Sequence, residues 1–157
     1  MSVPILFLST TMEQYFELGY IALFLVSFLA ATILPFSSEG FLLLMLVVPF
    51  DPTICLVVAS IGNWLGGLTN YFLGLLGKTE ILNKWFKVSK ERIVRLELSI
   101  QKYGAWSALL CWLPFVGDPI AIALGFFRVK FLPVAVLMLF GKAARYAFII
   151  WVVQSWN

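Results

Sequence analysis

The sequence predicts an all-α integral membrane protein: an inverted repeat with two opposed re-entrant helical hairpins, two main spanning helices and an amphipathic surface helical segment. Composition is the first observation. Of the 157 residues, 62% are hydrophobic and 12% are charged, whereas soluble domains have about 45–50% apolar and about 25% charged residues. The second is an internal repeat, since LPFSSEG and LPFVGDP each carry an acid four residues after proline. Matching halves of this kind are typical of transporters built from repeats.

The repeat has an offset of 79 positions, which separates Glu39 from Asp118, Pro35 from Pro114 and Gly62 from Gly141. A single membrane domain over residues 1–157 is therefore predicted to contain two halves. Repeat one covers about residues 29–76, and repeat two covers about residues 104–153.

A helix is predicted over residues 13–34, and Pro35 is expected to end or kink it because proline cannot donate the helical hydrogen bond. The apolar run over residues 40–50 has 11 residues. As a helix it would be about 16 Å long, against a hydrocarbon core of about 30 Å. Because this run cannot cross, residues 30–50 are predicted to form the first re-entrant hairpin. Residues 53–76 are long enough to span.

Between the repeats, residues 78–103 hold most of the basic side chains, with apolar residues at helical spacing. They are predicted to form the amphipathic segment on the membrane surface. It either binds anionic lipid or acts as a plain surface strut. The positive-inside rule predicts that loop 78–102 is cytoplasmic. Residues 104–127 are then the second re-entrant hairpin, and residues 132–153 are the second main span.

Helix-breaking residues are expected at the tips of both hairpins, where irregular backbone is tolerated only if protein or a wet cavity covers it. They are Pro35, Gly40, Pro114, Gly117 and Pro119. The glycines of residues 62–74 let neighbouring backbones approach closely. They are compatible with a homodimer and do not require one.

Glu39 and Asp118 are the candidate proton-coupling groups. A charge at the centre of a membrane helix costs about 2.5–3.5 kcal/mol on insertion scales, so an acid at this depth is either functional or paired. A carboxylate whose exposure alternates can load a proton on one side and release it on the other. The alternative is that both acids are fixed partners of two cations in the last span.

Those cations are Lys142 and Arg145, which are three residues apart and therefore share one helix face. Facing a cavity, they would bind an anionic head group, and arginine grips phosphate through two parallel hydrogen bonds. The alternative is that they only neutralise the acids. Asn63, Thr69 and Asn70 are candidates to line the same cavity, with packing between helices as the equally weighted alternative.

Other chemistry is disfavoured by what the sequence lacks. There is no histidine, and the two cysteines lie in apolar segments without the spacing of a zinc site. No serine–base or metal-binding constellation indicates an enzyme. Neither a metal, a cofactor nor a nucleic-acid partner is expected; the expected partners are membrane lipid and protons.

Taken together, the motifs resemble the YqaA-like branch of the DedA (VTT-domain, SNARE-associated) membrane proteins. The resemblance covers the chain from about Leu29 to Tyr146. It is carried by five pieces: Glu39 after a proline-broken helix, GNWLGGLTN, KYG, WLPFVGD and GKAARY. It implies opposed re-entrant hairpins, a bacterial inner membrane location and lipid transport, with the family's embedded acid at Glu39. The arginine of the family's second-hairpin motif is missing here, and Asp118 with Lys142 and Arg145 are its expected substitutes.

The predicted function is therefore a membrane transporter or flippase of an anionic lipid such as undecaprenyl phosphate, coupled to protons. The alternatives are a proton-coupled carrier of a small ion or solute, and a passive phospholipid scramblase. A purely structural membrane organiser is a further class, and it predicts that neutralising both acids is harmless.

Overall fold

A computed structural model describes residues 3–32, 37–76, 98, 100, 102–114 and 116–156, with side chains described from residue 14 onward. The described elements are all helices. They are α1 (Val3–Thr32), α2 (Ser38–Val47), α3 (Pro52–Leu75), the 3₁₀ helix η1 (Gly104–Trp112), α4 (Gly117–Phe126) and α5 (Phe131–Ser155). Pro35 and most of the predicted surface segment, residues 78–103, lie outside the described residues.

The helix bounds follow the 79-residue offset of the sequence. Helices α2 and α4 have 10 residues each, and the second begins 79 positions after the first. Helices α3 and α5 have 24 and 25 residues and begin at the same separation. Each half therefore has one short helix followed by one long helix.

Three helical segments are long and apolar enough to cross a membrane: Gln14–Thr32, Pro52–Leu75 and Phe131–Ser155. The expectation of two main spans is corrected to three, because α1 is a continuous helix of 30 residues. Its polar residues near position 13 do not interrupt it, and Pro4 lies in the first turn, where a missing N–H is tolerated. By contrast, α2 and α4 would each be about 15 Å long and cannot cross.

Helix α3 is the centre of the bundle, since it packs against α1, α2, α4 and α5. Helix η1 packs against α4 and α5. One buried apolar cluster joins α3, η1, α4 and α5, with Leu124 and Met138 fully buried, and a second surrounds Leu23, Leu42 and Tyr146. The indole of Trp64 also ties α3 to α5, because its N–H donates to the Ala135 carbonyl at 2.8 Å.

The outer surface is apolar, as the lipid-facing surface of a membrane bundle must be. On α5 the side chains of Leu132, Phe140 and Trp151 are 71%, 65% and 63% exposed. Polar side chains are instead drawn inward, and Asn63, Asn70 and Lys142 are all buried. This inside-out distribution locates the polar chemistry of the molecule in the centre of the bundle.

Glycines allow the backbones of α3 and its neighbours to touch. A Cβ at Gly62 would lie 2.5 Å from the Phe24 carbonyl oxygen of α1. A Cβ at Gly74 would overlap the Ile122 carbonyl of α4, and a Cβ at Gly125 would overlap the Tyr71 carbonyl of α3. These reciprocal contacts fix α4 against α3 at backbone distance.

Gly74→Ala is expected to destabilise the protein by about 1–3 kcal/mol, because the backbone contact cannot give way around an added methyl group. The measurement is unfolding in detergent, monitored by loss of helical circular dichroism. Gly40→Ala is the matched control, since its Cβ would have ordinary contacts with Ser37 at 3.5 Å and beyond. Equal stability of the Gly74 variant and the control would contradict the packing described here.

Candidate functional site

The two acids lie in the first turns of the two short helices. At α2 the cap is formed by Ser37, whose hydroxyl accepts from the Gly40 N–H at 3.1 Å and donates to a Glu39 carboxylate oxygen at 3.0 Å. Negative charge is stabilised at a helix N-terminus, because the helix dipole is positive there. Asp118 has the equivalent position on α4. Each short helix thus has a carboxylate in its first turn.

Both acids pair with cations near the middle of α5. Arg145 donates to Glu39, and the Lys142 ammonium lies 3.5 Å from an Asp118 oxygen. Each cation therefore joins α5 to a different short helix. Pairing two acids with two cations keeps the net charge of this centre at zero, which the cost of isolated charge in a membrane demands.

Lys142 is the more enclosed of the two cations, with 2% of the residue exposed. Besides its ion pair, its ammonium donates to the Asn63 side-chain oxygen. Asn63 in turn donates to the Ser27 carbonyl of α1 at 3.3 Å. A Cβ at Gly67 would lie 3.2 Å from the ammonium nitrogen, so glycine there makes room for the lysine. Lys142 is thus held by α1, α3 and α4 together.

The Glu39–Arg145 pair is more open. The side chains of Arg145 and Glu39 are 17% and 27% exposed, whereas that of Lys142 is 3% exposed. Arg145 also reaches the Trp112 carbonyl of η1 at 3.5 Å. Asp118 is 28% exposed, so the protein buries neither carboxylate completely.

A hydrogen bond next to the Glu39–Arg145 ion pair was not predicted from the sequence. The hydroxyls of Ser38 and Tyr146 lie 2.8 Å apart, and both residues are buried. Each is the sequence neighbour of one member of the ion pair. That adjacency was the available signal, but a serine and a tyrosine carry no charge whose burial would have singled them out.

The predicted cavity-lining residues differ in their contacts. Asn70 is fully buried and donates to the Ala31 carbonyl of α1 at 2.6 Å, while its own side-chain oxygen has no partner. Thr69 donates to the Leu65 carbonyl of its own helix at 3.0 Å. Asn63 contacts a charged group directly, since it accepts from the Lys142 ammonium. The prediction that all three residues line a cavity stays a prediction.

Those predicted hairpin-break residues that the structure describes lie at or beside the starts of the short helices. Gly40 is in the first turn of α2, and Pro119 is in the first turn of α4. Pro114 precedes α4, and its carbonyl accepts from the Val116 N–H at 2.8 Å. Gly117 lies so close to the Cys111 carbonyl that a Cβ would overlap it. In the part of the chain with described side chains, no three Cys, Asp or Glu residues converge as a metal would require.

The fold and this centre define a multi-pass helical membrane protein with paired charges in its core. The chain belongs to the VTT-domain family, whose sequence model matches residues 34–155. It is 37% identical to inner membrane protein YqaA of Escherichia coli K12 over 130 residues, which are 82% of this chain and 87% of that protein. The resemblance stated from the motifs is thereby confirmed, as is the location: a multi-pass inner membrane protein.

Further relatives are more distant. An uncharacterized protein of Haemophilus influenzae is 32% identical over 136 residues, with 79% of this chain and 80% of that protein covered. One of Rickettsia prowazekii is 28% identical over 134 residues, with 82% and 92% covered. No solved structure matches this chain.

Proposed function

We propose that this protein is a transporter, or flippase, of an anionic lipid such as undecaprenyl phosphate, coupled to protons. The observation that carries the proposal is the accessible Glu39–Arg145 ion pair near the middle of α5. Family membership and the three apolar helices support a membrane transporter in general. The lipid and the coupling are inferred from the chemistry of the charged centre.

Stability alone is a weak reason to keep two ion pairs in this centre. Replacing a buried pair by apolar residues of similar volume is often neutral or stabilising by about 1–4 kcal/mol. The presence of four charged side chains in the centre of the bundle therefore needs a reason other than stability. The binding of charged ligands is such a reason. Both carboxylates are about a quarter exposed (27% and 28%), so the protein seals neither of them off.

Anion binding and protonation at the Glu39–Arg145 pair favour each other. Arg145 can bind a phosphate only when its guanidinium is at least partly released by Glu39. Protonation of Glu39 releases the guanidinium. A bound phosphate in turn leaves Glu39 without its cation, and this favours protonation of Glu39. By linkage the two effects are equal in free energy. One ion pair thus couples a proton to an anionic head group, with Asp118 and Lys142 as a second carboxylate–cation pair beside it.

In the membrane, we place the tips of two opposed re-entrant hairpins at the bilayer midplane. The starts of α2 and α4 then face the centre, where positive helix ends and the two cations attract the head group while the lipid tails stay in hydrocarbon. Loop 78–102 is placed on the cytoplasmic side. The glycines of α3 contact α1, α4 and α5 within the chain, so they give no support to a homodimer, which stays a prediction.

The proposal is tested by lipid translocation in sealed proteoliposomes, using a fluorescent polyprenyl phosphate with and without a pH gradient. The wild type is compared with Glu39→Gln and Asp118→Asn. We expect gradient-driven flipping in the wild type and its loss in both variants, because each variant lacks one exchangeable proton. Glu17→Gln is a matched control at an exposed position on α1, and it is expected to flip as the wild type does.

Other outcomes separate the alternatives. Flipping that ignores both the gradient and the variants would indicate a passive scramblase. Proton flux that depends on Glu39 without any lipid movement would indicate a carrier of small ions or solutes. If the wild type shows neither proton flux nor lipid flipping, and neutralising both acids leaves the protein folded and unchanged, the protein is a structural organiser and the proposal is wrong.

A further inference from the structure

The two short helices are held in the bundle in different ways. Helix α4 is fixed to α3 through the reciprocal backbone contacts of Gly74 and Gly125. Its Asp118 is bound by a lysine that is itself anchored to α3 through Asn63. Any sliding of α4 along α3 would drive carbonyl oxygens into backbone atoms. This half of the centre is therefore rigid.

Among the described residues, α2 has no glycine-mediated backbone contact of this kind. A Cβ at its glycine, Gly40, would meet only Ser37 atoms, at 3.5 and 3.7 Å. Its outer face is open, with Leu44 and Val47 67% and 86% exposed. It packs against α1, α3 and α5, and among the described residues its side-chain polar bonds to α5 are two: Ser38 to Tyr146 and Glu39 to Arg145. These bonds join consecutive residues of α2 to consecutive residues of α5.

We propose that Tyr146 is a positioning residue of this site: through Ser38 it fixes the first turn of α2 so that Glu39 faces Arg145. Helix α2 is then the element that moves when the ion pair opens. The inference rests on the proposed function for the role of this pair in transport. The inference goes beyond the proposed function because it assigns the motion to one of the two hairpins. It also assigns the control of that motion to one tyrosine.

The packing of Tyr146 suits this role. The residue is 1% exposed and belongs to the buried cluster that contains Leu23 and Leu42. A tyrosine held on all sides presents its hydroxyl at a fixed point, and Ser38 lies directly beside Glu39. When a proton or an anion breaks the Glu39–Arg145 pair, the hydroxyl bond is the remaining polar connection between α2 and α5 in the described part of the chain. It therefore sets how far α2 moves.

The test measures the distance between α2 and α5 by pulsed electron–electron double resonance in lipid vesicles. Spin labels are attached at Leu44→Cys on α2 and Phe140→Cys on α5, both exposed positions. A reference pair uses Phe72→Cys on α3 with the same α5 label. The native Cys55 and Cys111 are 0% and 1% exposed and are protected from labelling. The variants are Tyr146→Phe, Ser38→Ala and the combination of both.

We expect each single variant to add a second, shifted distance population to the α2–α5 pair, and the double variant to add no more than either alone. The reference pair is expected to stay unchanged. Tyr71→Phe is the matched control, because it removes a hydroxyl bonded to the Val129 carbonyl at 2.6 Å, away from α2. Glu39→Gln is expected to open the ion pair and to shift α2 only as far as the intact Ser38–Tyr146 bond allows, a limit that a merely structural tyrosine would not set.

An unchanged α2–α5 distance in Tyr146→Phe would overturn the inference, and so would equal changes in both label pairs. Because the distances need no substrate, the outcome is separate from that of the transport assay. A mobile α2 in protein that moves no lipid would support the positioning role and count against the proposed function. Lipid flipping by protein whose α2 stays fixed in every variant would overturn the positioning role alone.

Discussion

Lys142→Met is expected to destabilise the protein by about 3–5 kcal/mol, the usual effect of removing one partner of a buried ion pair. Methionine cannot neutralise Asp118, and Asn63 also loses its donor. The double variant Lys142→Met with Asp118→Asn is expected to recover most of that loss, because no uncompensated charge remains. The measurement is the midpoint of chemical unfolding in detergent for the two variants and the wild type.

Lys130→Met serves as the control for Lys142→Met, because Lys130 is exposed at the start of α5. We expect its stability to stay within about 0.5 kcal/mol of the wild type, as for most surface substitutions. If Lys142→Met were as stable as this control, the buried ion pair would contribute nothing and the charge arrangement described here would be wrong.

Arg145→Met is expected to lower the rate of phosphate-lipid flipping by about 10- to 100-fold. Hydrogen bonds to charged groups are worth about 1.5–3 kcal/mol, and about 1.4 kcal/mol corresponds to a factor of ten. Arg145→Lys is expected to fall between the wild type and the methionine variant, because an ammonium cannot grip phosphate through two parallel bonds. The measurement is the initial flipping rate in proteoliposomes of equal protein content.

Loss of folding is separated from loss of binding by a second variant. Arg145→Met leaves Glu39 without its cation, whereas Arg145→Met combined with Glu39→Gln leaves no unpaired charge. The double variant is expected to fold as well as the wild type and still fail to flip the lipid. Wild-type flipping by this folded double variant would mean that Arg145 does not bind the head group.

The membrane class and the helix bounds of both halves could be predicted from the sequence, because hydropathy and proline breaks act locally. The predicted amphipathic segment, residues 78–103, lies mostly outside the described residues. The number of spans was underestimated. The helix over residues 13–34 was counted with the first hairpin, but the apolar part of α1, Gln14–Thr32, is by itself long enough to span.

The sequence by itself determined that two acids and two cations lie within apolar segments, and the cost of isolated charge in a membrane required them to be either paired or hydrated. Only the tertiary structure decided the pairing, because Glu39 and Arg145 are 106 residues apart in the chain. It also decided that Ser38 and Tyr146 meet, and that α4 is locked to α3 while α2 is not. Those contacts depend on how helices cross, which the period and composition of each helix leave open.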